Sequence, residues 1–170
     1  MVTLLDVGTD EVVARIATAA LERGTQIAVA ESLTCGTLCK TLGLGERSSE
    51  WLTGGVVAYQ TRTKIDVLGL EPGTDPCSPA CAEQLAVGVR ELLGADLAVS
   101  TTGVGGPGPD GGHEAGTVYV GWSTARGYGH RGFQFDNDPD DVLEQTVGAA
   151  LHELVARLDD IGPGGSDVER

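Results

Sequence analysis

The 170-residue sequence predicts an α/β fold, a three-layer α/β/α arrangement around a mostly parallel, mixed sheet. Two observations carry this reading. Strand-like and helix-like segments alternate over the first hundred residues, the order that covers both faces of a sheet with helices. Beyond them, two adjacent strand-like stretches joined by a turn add an antiparallel pair. No internal repeat or linker divides the chain, so residues 1–160 are expected to form one domain, with 161–170 a frayed tail.

The elements follow in order. Residues 10–23 (DEVVARIATAALER) place apolar side chains at helical spacing, with Asp10 as the expected N-cap and Gly24 as the stop. Residues 26–30 (QIAVA) read as a short buried strand, and a second helix is expected from near Thr34 through Leu42. Residues 54–60 (GGVVAYQ) read as another strand, followed by a short helix around Arg62–Leu68. The Pro, Gly and Asp content of residues 70–78 (LEPGTDPCS) marks a loop. Ser78 then caps a long amphipathic helix to about Leu93, which Gly94 ends. Residues 96–103 (DLAVSTTG) form a strand that runs into a Gly/Pro-rich loop, Gly103–Gly112. Residues 117–124 (TVYVGWST) and His130–Asp136 are expected to pair through the turn ARGYG, and a helix from Pro139 to about Leu158 closes the domain.

Composition narrows the function. The formal charge is −14, from 25 acidic and 11 basic side chains, and there is no Lys/Arg run. That field opposes nucleic acid and acidic membranes, both of which require a basic patch. The N-terminal MVTLLDVGTDE lacks the basic start of a signal peptide, and no apolar run reaches spanning length. A cytoplasmic protein without a membrane anchor is expected. The four cysteines form two C-x-x-x-C pairs, Cys35/Cys39 and Cys77/Cys81. A four-thiolate metal site is conceivable at that spacing, but the usual zinc pattern is tighter, so buried free thiols are expected. Trp51 and Trp122 read as core or subunit-contact residues, and His130 and His152 as structural or solvated ones.

Three polar spots stand where strands end, which is where open α/β sheets gather ligands. The first is Ala30-Glu31-Ser32-Leu33-Thr34-Cys35-Gly36, where Ser32 meets the N–H groups that open a helix. It can be a nucleophile, or Ser32 or Thr34 can simply cap the helix. The second is Ala58-Tyr59-Gln60-Thr61-Arg62-Thr63-Lys64, whose lysine can equally be a solvated surface residue. The third is the glycine loop after Ser100-Thr101-Thr102, which can wrap an anion with its amides or can use glycine for positive φ. It lacks both the Walker ending and the dinucleotide fingerprint. His113, within that loop, is placed to touch a ligand.

The order A-E-S-x-T-x-G, G-G-V-V-A-Y-x-x-x-x-K, S-x-T-G-V-x-G-P and G-T-V-Y-V-G resembles the CinA C-terminal domain family, in a stand-alone form, over about residues 10–158. That family includes the nicotinamide-nucleotide amidases. The resemblance implies hydrolysis of nicotinamide mononucleotide to nicotinic acid mononucleotide and ammonia by a Ser–Lys pair, with no metal or organic cofactor and with a nucleotide-like small molecule as substrate. It makes Ser32 the nucleophile and Lys64 the general base. Substrate contacts are expected from Glu31, Thr34, Gly36, Tyr59, Thr102, Gly103, Gly105 and Gly106. The Ser32, Cys35 and Gly36 amides are the expected oxyanion donors. A serine needs a neighbour to remove its proton, and a lysine can do so only while neutral, which burial favours. A homo-oligomer is also implied.

The chain departs from the family at several points. It reads A-E-S-L-T-C-G where the family has A-E-S-C-T-G-G, and Gln60-Thr61 replace a Ser-Asn pair. His113-Glu114-Ala115 stand where K-P-V is usual. Phe135–Glu144 lacks the family's two arginines and carries four aspartates and a glutamate instead. Arginines suit a substrate phosphate; carboxylates oppose one. Arg62, Arg126 and Arg131 are the candidate replacements. Two alternatives therefore stand beside the nucleotide amidase: an amidase acting on a different, non-phosphorylated amide, and a catalytically degenerate binding or regulatory module.

Overall fold

The computed structural model describes residues 8–136 and 138–161. Of the expected tail only Ile161 falls among them, as the last residue of a helix. Strands β1 (Ile27–Glu31), β2 (Leu52–Val57), β3 (Leu97–Gly103), β4 (Thr117–Thr124) and β5 (Gly127–Gln134) form one sheet in the order β2-β1-β3-β4-β5. The β1 strand is parallel to β2 and β3, whereas β3–β4 and β4–β5 are antiparallel. The helices are α1 (Thr9–Arg23), α2 (Thr37–Gly43), α3 (Thr61–Leu68), α4 (Pro79–Leu93) and α5 (Pro139–Ile161). The sheet is therefore mixed, with helices on both faces, as the sequence predicts. No described helix is long and apolar enough to cross a membrane.

The all-buried strand β1 shows how the layers are built. Alternate side chains point to opposite faces. Ile27 and Val29 join Leu97, Val99 and Val120 in a core that takes in Ile16 of α1, Leu38 of α2 and Leu151 of α5. Ala28, Ala30 and Ala98 face the other way, against Leu68 of α3 and Leu85 and Val89 of α4. Each fully buried aliphatic side chain contributes roughly 1.5–3 kcal/mol. The small-residue face lets α4 lie close. Ser100 Oγ donates to Ala82 O at 2.5 Å, and a Cβ on Gly121 would stand 2.1 Å from that same carbonyl.

Element ends differ from the sequence reading in instructive ways. Helix α1 is capped at Gly8, without a side-chain bond, and Asp10 sits in its first turn, where a carboxylate complements the helix dipole. Helix α2 starts at Thr37 rather than Thr34, because residues 33–36 turn the chain first, Cys35 at φ 47° and Gly36 at φ 97°. Neither Ser32 nor Thr34 caps it. Its first-turn N–H groups are taken from below by Glu31, whose carboxylate oxygens accept from Leu38 N at 2.8 Å and Cys39 N at 3.0 Å. By contrast α4 matches its signals: Ser78 Oγ accepts from Cys81 N at 3.1 Å, and Pro79 opens the helix. The β4–β5 hairpin is tighter than expected, with only Ala125 and Arg126 between paired ends. Strand β5 begins at Gly127 because its glycines suit close packing; the Trp122 ring lies where a Gly129 side chain would go. Arg157 covers the same indole, its guanidinium carbon 4.5 Å from the ring centre. Trp51 is fully buried and donates to Glu46 O.

Two stability measurements follow. Gly121→Ala should lower the melting temperature by several degrees, because α4 must move off the sheet; overpacking costs about 1–3 kcal/mol. Glu31→Ala should shift the urea midpoint downward by a similar energy, about 1–3 kcal/mol, since two N–H groups lose their acceptor. Glu31→Gln, which keeps one acceptor, should shift it less.

Candidate active site

Strands β1 and β3 end side by side, with Glu31 in register with Thr101. One residue further on, Ser32 N donates to Thr101 O at 3.1 Å, which holds the serine at the sheet's edge. There a cleft of about 550 Å³ opens, in the usual size range for small-molecule sites. Ser32, Tyr59, Lys64 and Thr102 line it on one side, and the loop from Gly103 to Gly111, including Gly105 and Gly106, lines it on another. Pro139 and Leu143, from the start of α5, complete the rim.

Lys64 is not a surface lysine. Helix α3 follows β2 after a short turn and carries Lys64 inward, leaving it 2% exposed, while Ser32 is 8% exposed. The Lys64 Nζ donates to Tyr59 O at 2.8 Å, not to Ser32. Burial pulls the amine's pKa below the ordinary lysine value, and the Cys81 thiol opposes this only in part. A neutral amine in this position spends one N–H on Tyr59 and keeps its lone pair for a proton.

The other expected site residues divide. Tyr59 lines the cleft and is largely exposed. Thr102 lines it too, but its hydroxyl is engaged elsewhere: Oγ1 donates to Pro76 O at 2.5 Å and accepts weakly from Cys81 Sγ at 3.9 Å. Glu31, Thr34 and Gly36 lie outside the cleft lining. Glu31, 1% exposed, spends both carboxylate oxygens on α2. The Thr34 hydroxyl is buried against Thr101 Oγ1 at 2.8 Å. Gly36 serves the left-handed turn into α2. These three hold the turn that carries the serine. Two of the three expected oxyanion donors are also committed, Ser32 N to Thr101 O and Cys35 N to Ser32 O, both at 3.1 Å. Among the described residues the N–H groups of Leu33, Thr34 and Gly36 enter no backbone hydrogen bond.

None of the three candidate arginines lines the cleft. Arg62 pairs with Asp66 on the exposed side of α3, and Arg131 pairs with Glu153 of α5. Arg126 sits in the β4–β5 turn, beside a separate groove with Trp122 and Arg157. The cysteines are free: Cys77 and Cys81 are buried, Cys39 is half-buried, and Cys35, against expectation, is exposed. His130 pairs with Glu83 at 2.8 Å, away from the cleft.

Sequence reasoning missed Asp75 and Asp110, which also line the cleft. Asp75 Oδ2 lies 2.7 Å from His113 Nε2, and its other oxygen accepts from Cys77 N at 2.9 Å. The Cys77 amide first, and His113 second, hold this carboxyl below its usual range. Burial, aided by Asp75, pushes the neighbouring Cys77 thiol up to about 11, so it stays protonated. The loop containing Asp110 folds back on itself, with Asp110 N donating to His113 O and His113 N to Asp110 O. Nothing local in the sequence marks Asp75, since its partner is 38 residues away.

Comparison with known proteins agrees with this architecture. The family model of the CinA C-terminal domain matches residues 9–158. A CinA-like protein of Synechocystis is 45% identical over 113 residues, 62% of this chain and 27% of the relative. A CinA-like protein of Synechococcus is 37% identical over 142 residues, 78% of this chain and 33% of the relative. The chain thus spans about a third of the length of the curated relatives it matches. A solved competence-damaged protein (CinA) superfamily protein from Klebsiella pneumoniae superposes with a TM-score of 0.86 at 30% identity, covering 91% of this chain and 99% of that one. A competence or damage-inducible protein from Enterobacter asburiae gives a TM-score of 0.86 at 29% identity, with 90% and 99% coverage. With the family model spanning nearly the whole described chain, and the fold shared with solved members, this chain belongs to the CinA C-terminal domain family.

Proposed function

We propose that this chain is an amidohydrolase of nicotinamide-bearing compounds, with Ser32 as nucleophile and Lys64 as general base. Nicotinamide mononucleotide, giving nicotinic acid mononucleotide and ammonia, is the substrate that family membership suggests. The observation that carries the reading is a buried lysine of lowered pKa sharing one cleft with a strand-end serine that caps nothing.

In this scheme neutral Lys64 takes the Ser32 hydroxyl proton as Oγ attacks the carboxamide carbon. The carbonyl oxygen becomes an oxyanion facing the uncommitted N–H of Leu33, a residue that lines the cleft. Collapse breaks the C–N bond, and the Lys64 ammonium returns its proton to the departing nitrogen, which leaves as ammonia. Water then attacks the acyl-serine, losing a proton to Lys64; the C–Oγ bond breaks, the Lys64 ammonium returns the proton to Ser32 Oγ, and the carboxylic acid is released. Every proton passes through one amine, so the amine's ionisation sets the pH dependence. In this scheme one N–H of the Lys64 amine stays on Tyr59 O while its lone pair serves Ser32.

Ammonia release should be measured from nicotinamide mononucleotide and nicotinamide riboside with wild type, Ser32→Ala and Lys64→Ala. Turnover is expected in wild type and a loss of at least about a hundredfold in each variant; folded wild type that turns over neither compound would make this a binding module instead. The rate should rise with pH, because the base works only when deprotonated, and should reach half its maximum below the ordinary lysine value of about 10.4. Lys64→Arg, which keeps the charge but does not lose its proton, should be inactive across that range.

A further inference from the structure

We infer that the cleft takes its carboxamide on a cationic carrier without a phosphate, a pyridinium nucleoside of the nicotinamide riboside kind, and that Asp75 is the residue selecting it. The inference rests on the amidase reading of the Ser32 cleft and adds the substrate's charge. It comes from the ionisable groups that line that cleft: Asp75 and Asp110, against Lys64 and His113. Lys64 must be uncharged to act as a base. With His113 protonated the lining is then singly negative, and with His113 neutral doubly so. A phosphate ester entering there meets repulsion at short range, whereas a pyridinium ring meets attraction.

The start of α5, beside the lining residue Pro139, repeats the preference. Helix α5 points its N-terminus at the cleft through Pro139, a geometry that ordinarily favours an anion. Here Asp138 Oδ1 already accepts from Asp140 N at 3.1 Å and Asp141 N at 3.2 Å, and Asp140 and Asp141 add two more carboxylates to the first turn. The glycine loop offers amides, but Asp110 within the loop sets a carboxylate beside them. The arginines that would counter this lie elsewhere, with Arg62 and Arg131 already paired to carboxylates.

Asp75 is the better-placed selector of the two lining carboxylates, because it is held on both oxygens, by His113 Nε2 at 2.7 Å and by Cys77 N at 2.9 Å. The first bond ties the segment before α4 to His113, and the second holds Asp75 within its own segment. A fixed carboxylate discriminates by charge without paying the entropy of being ordered at each binding event.

The test is titration calorimetry with the full chain carrying Ser32→Ala, which holds substrate without turning it over. Nicotinamide riboside should bind at least tenfold more tightly than nicotinamide mononucleotide, and the gap should narrow as salt is raised. Asp75→Asn, which retains an acceptor for Cys77 N, should weaken riboside binding severalfold and not weaken nucleotide binding. Asp110→Lys should strengthen the nucleotide. Equal or tighter binding of the nucleotide by the parent protein would overturn the inference, as would binding of neither compound. Riboside binding by the Ser32→Ala protein, with no ammonia released by wild type, would sink the amidase reading while leaving the charge preference standing.

Discussion

Everything at the candidate site hangs from the buried carboxylate of Glu31. It closes the central strand β1 and, instead of facing a ligand, accepts two N–H groups from the first turn of α2. A carboxylate removed from water is costly unless its oxygens are bonded, and these bonds also satisfy donors that every helix start leaves open. With the strand's last residue tied to the helix's first turn, the five residues between turn tightly, Cys35 and Gly36 with left-handed backbone. Ser32 stands at the base of this turn, hydrogen-bonded back to β3, and the Leu33, Thr34 and Gly36 amides enter no backbone hydrogen bond.

The opposite side of the sheet supplies the lysine. Its small side chains, Ala28, Ala30, Ala98, Ser100 and Gly121, let α4 press on the strands more closely than a Val/Leu face would allow. The approach of α4 is secured by Thr102 bonding Pro76 O and by Ser78 capping the helix. Helix α3 packs in the same layer, and Lys64 is thereby buried at the cleft, with its amine on the Tyr59 carbonyl. Packing and chemistry are the same arrangement here: close layering desolvates the amine, and desolvation favours the neutral form that a general base needs.

Charge is distributed with equal consequence. The chain has more than twice as many acidic as basic side chains, and several of its arginines are tied up in the scaffold. Arg131 and Arg157 both approach Glu153, a buried residue of α5, and Arg15 of α1 bonds Asp159 near that helix's end. These pairs fasten α5 to β5 and α1. Among the described residues no arginine lines the cleft, whereas Asp75 and Asp110 do.

The helices and most strands were legible from local signals, because apolar spacing, Ser78-Pro79 and the stops at Gly24 and Gly94 act within a few residues. The motifs whose order marks the family also carry the serine and the lysine that line one cleft. What the sequence by itself determined is thus the layered α/β class, its family, and the segments from which a cleft would be built. Only the tertiary structure decided which members of those segments face the cleft. It turned Glu31, Thr34 and Gly36 into supports, committed the Thr102 hydroxyl to Pro76, kept Arg62, Arg126 and Arg131 out, and brought Asp75 against His113. The physical reason is that a side chain's role depends on which buried donors and acceptors lack partners nearby. That is settled by elements meeting across the sheet, not by neighbours along the chain.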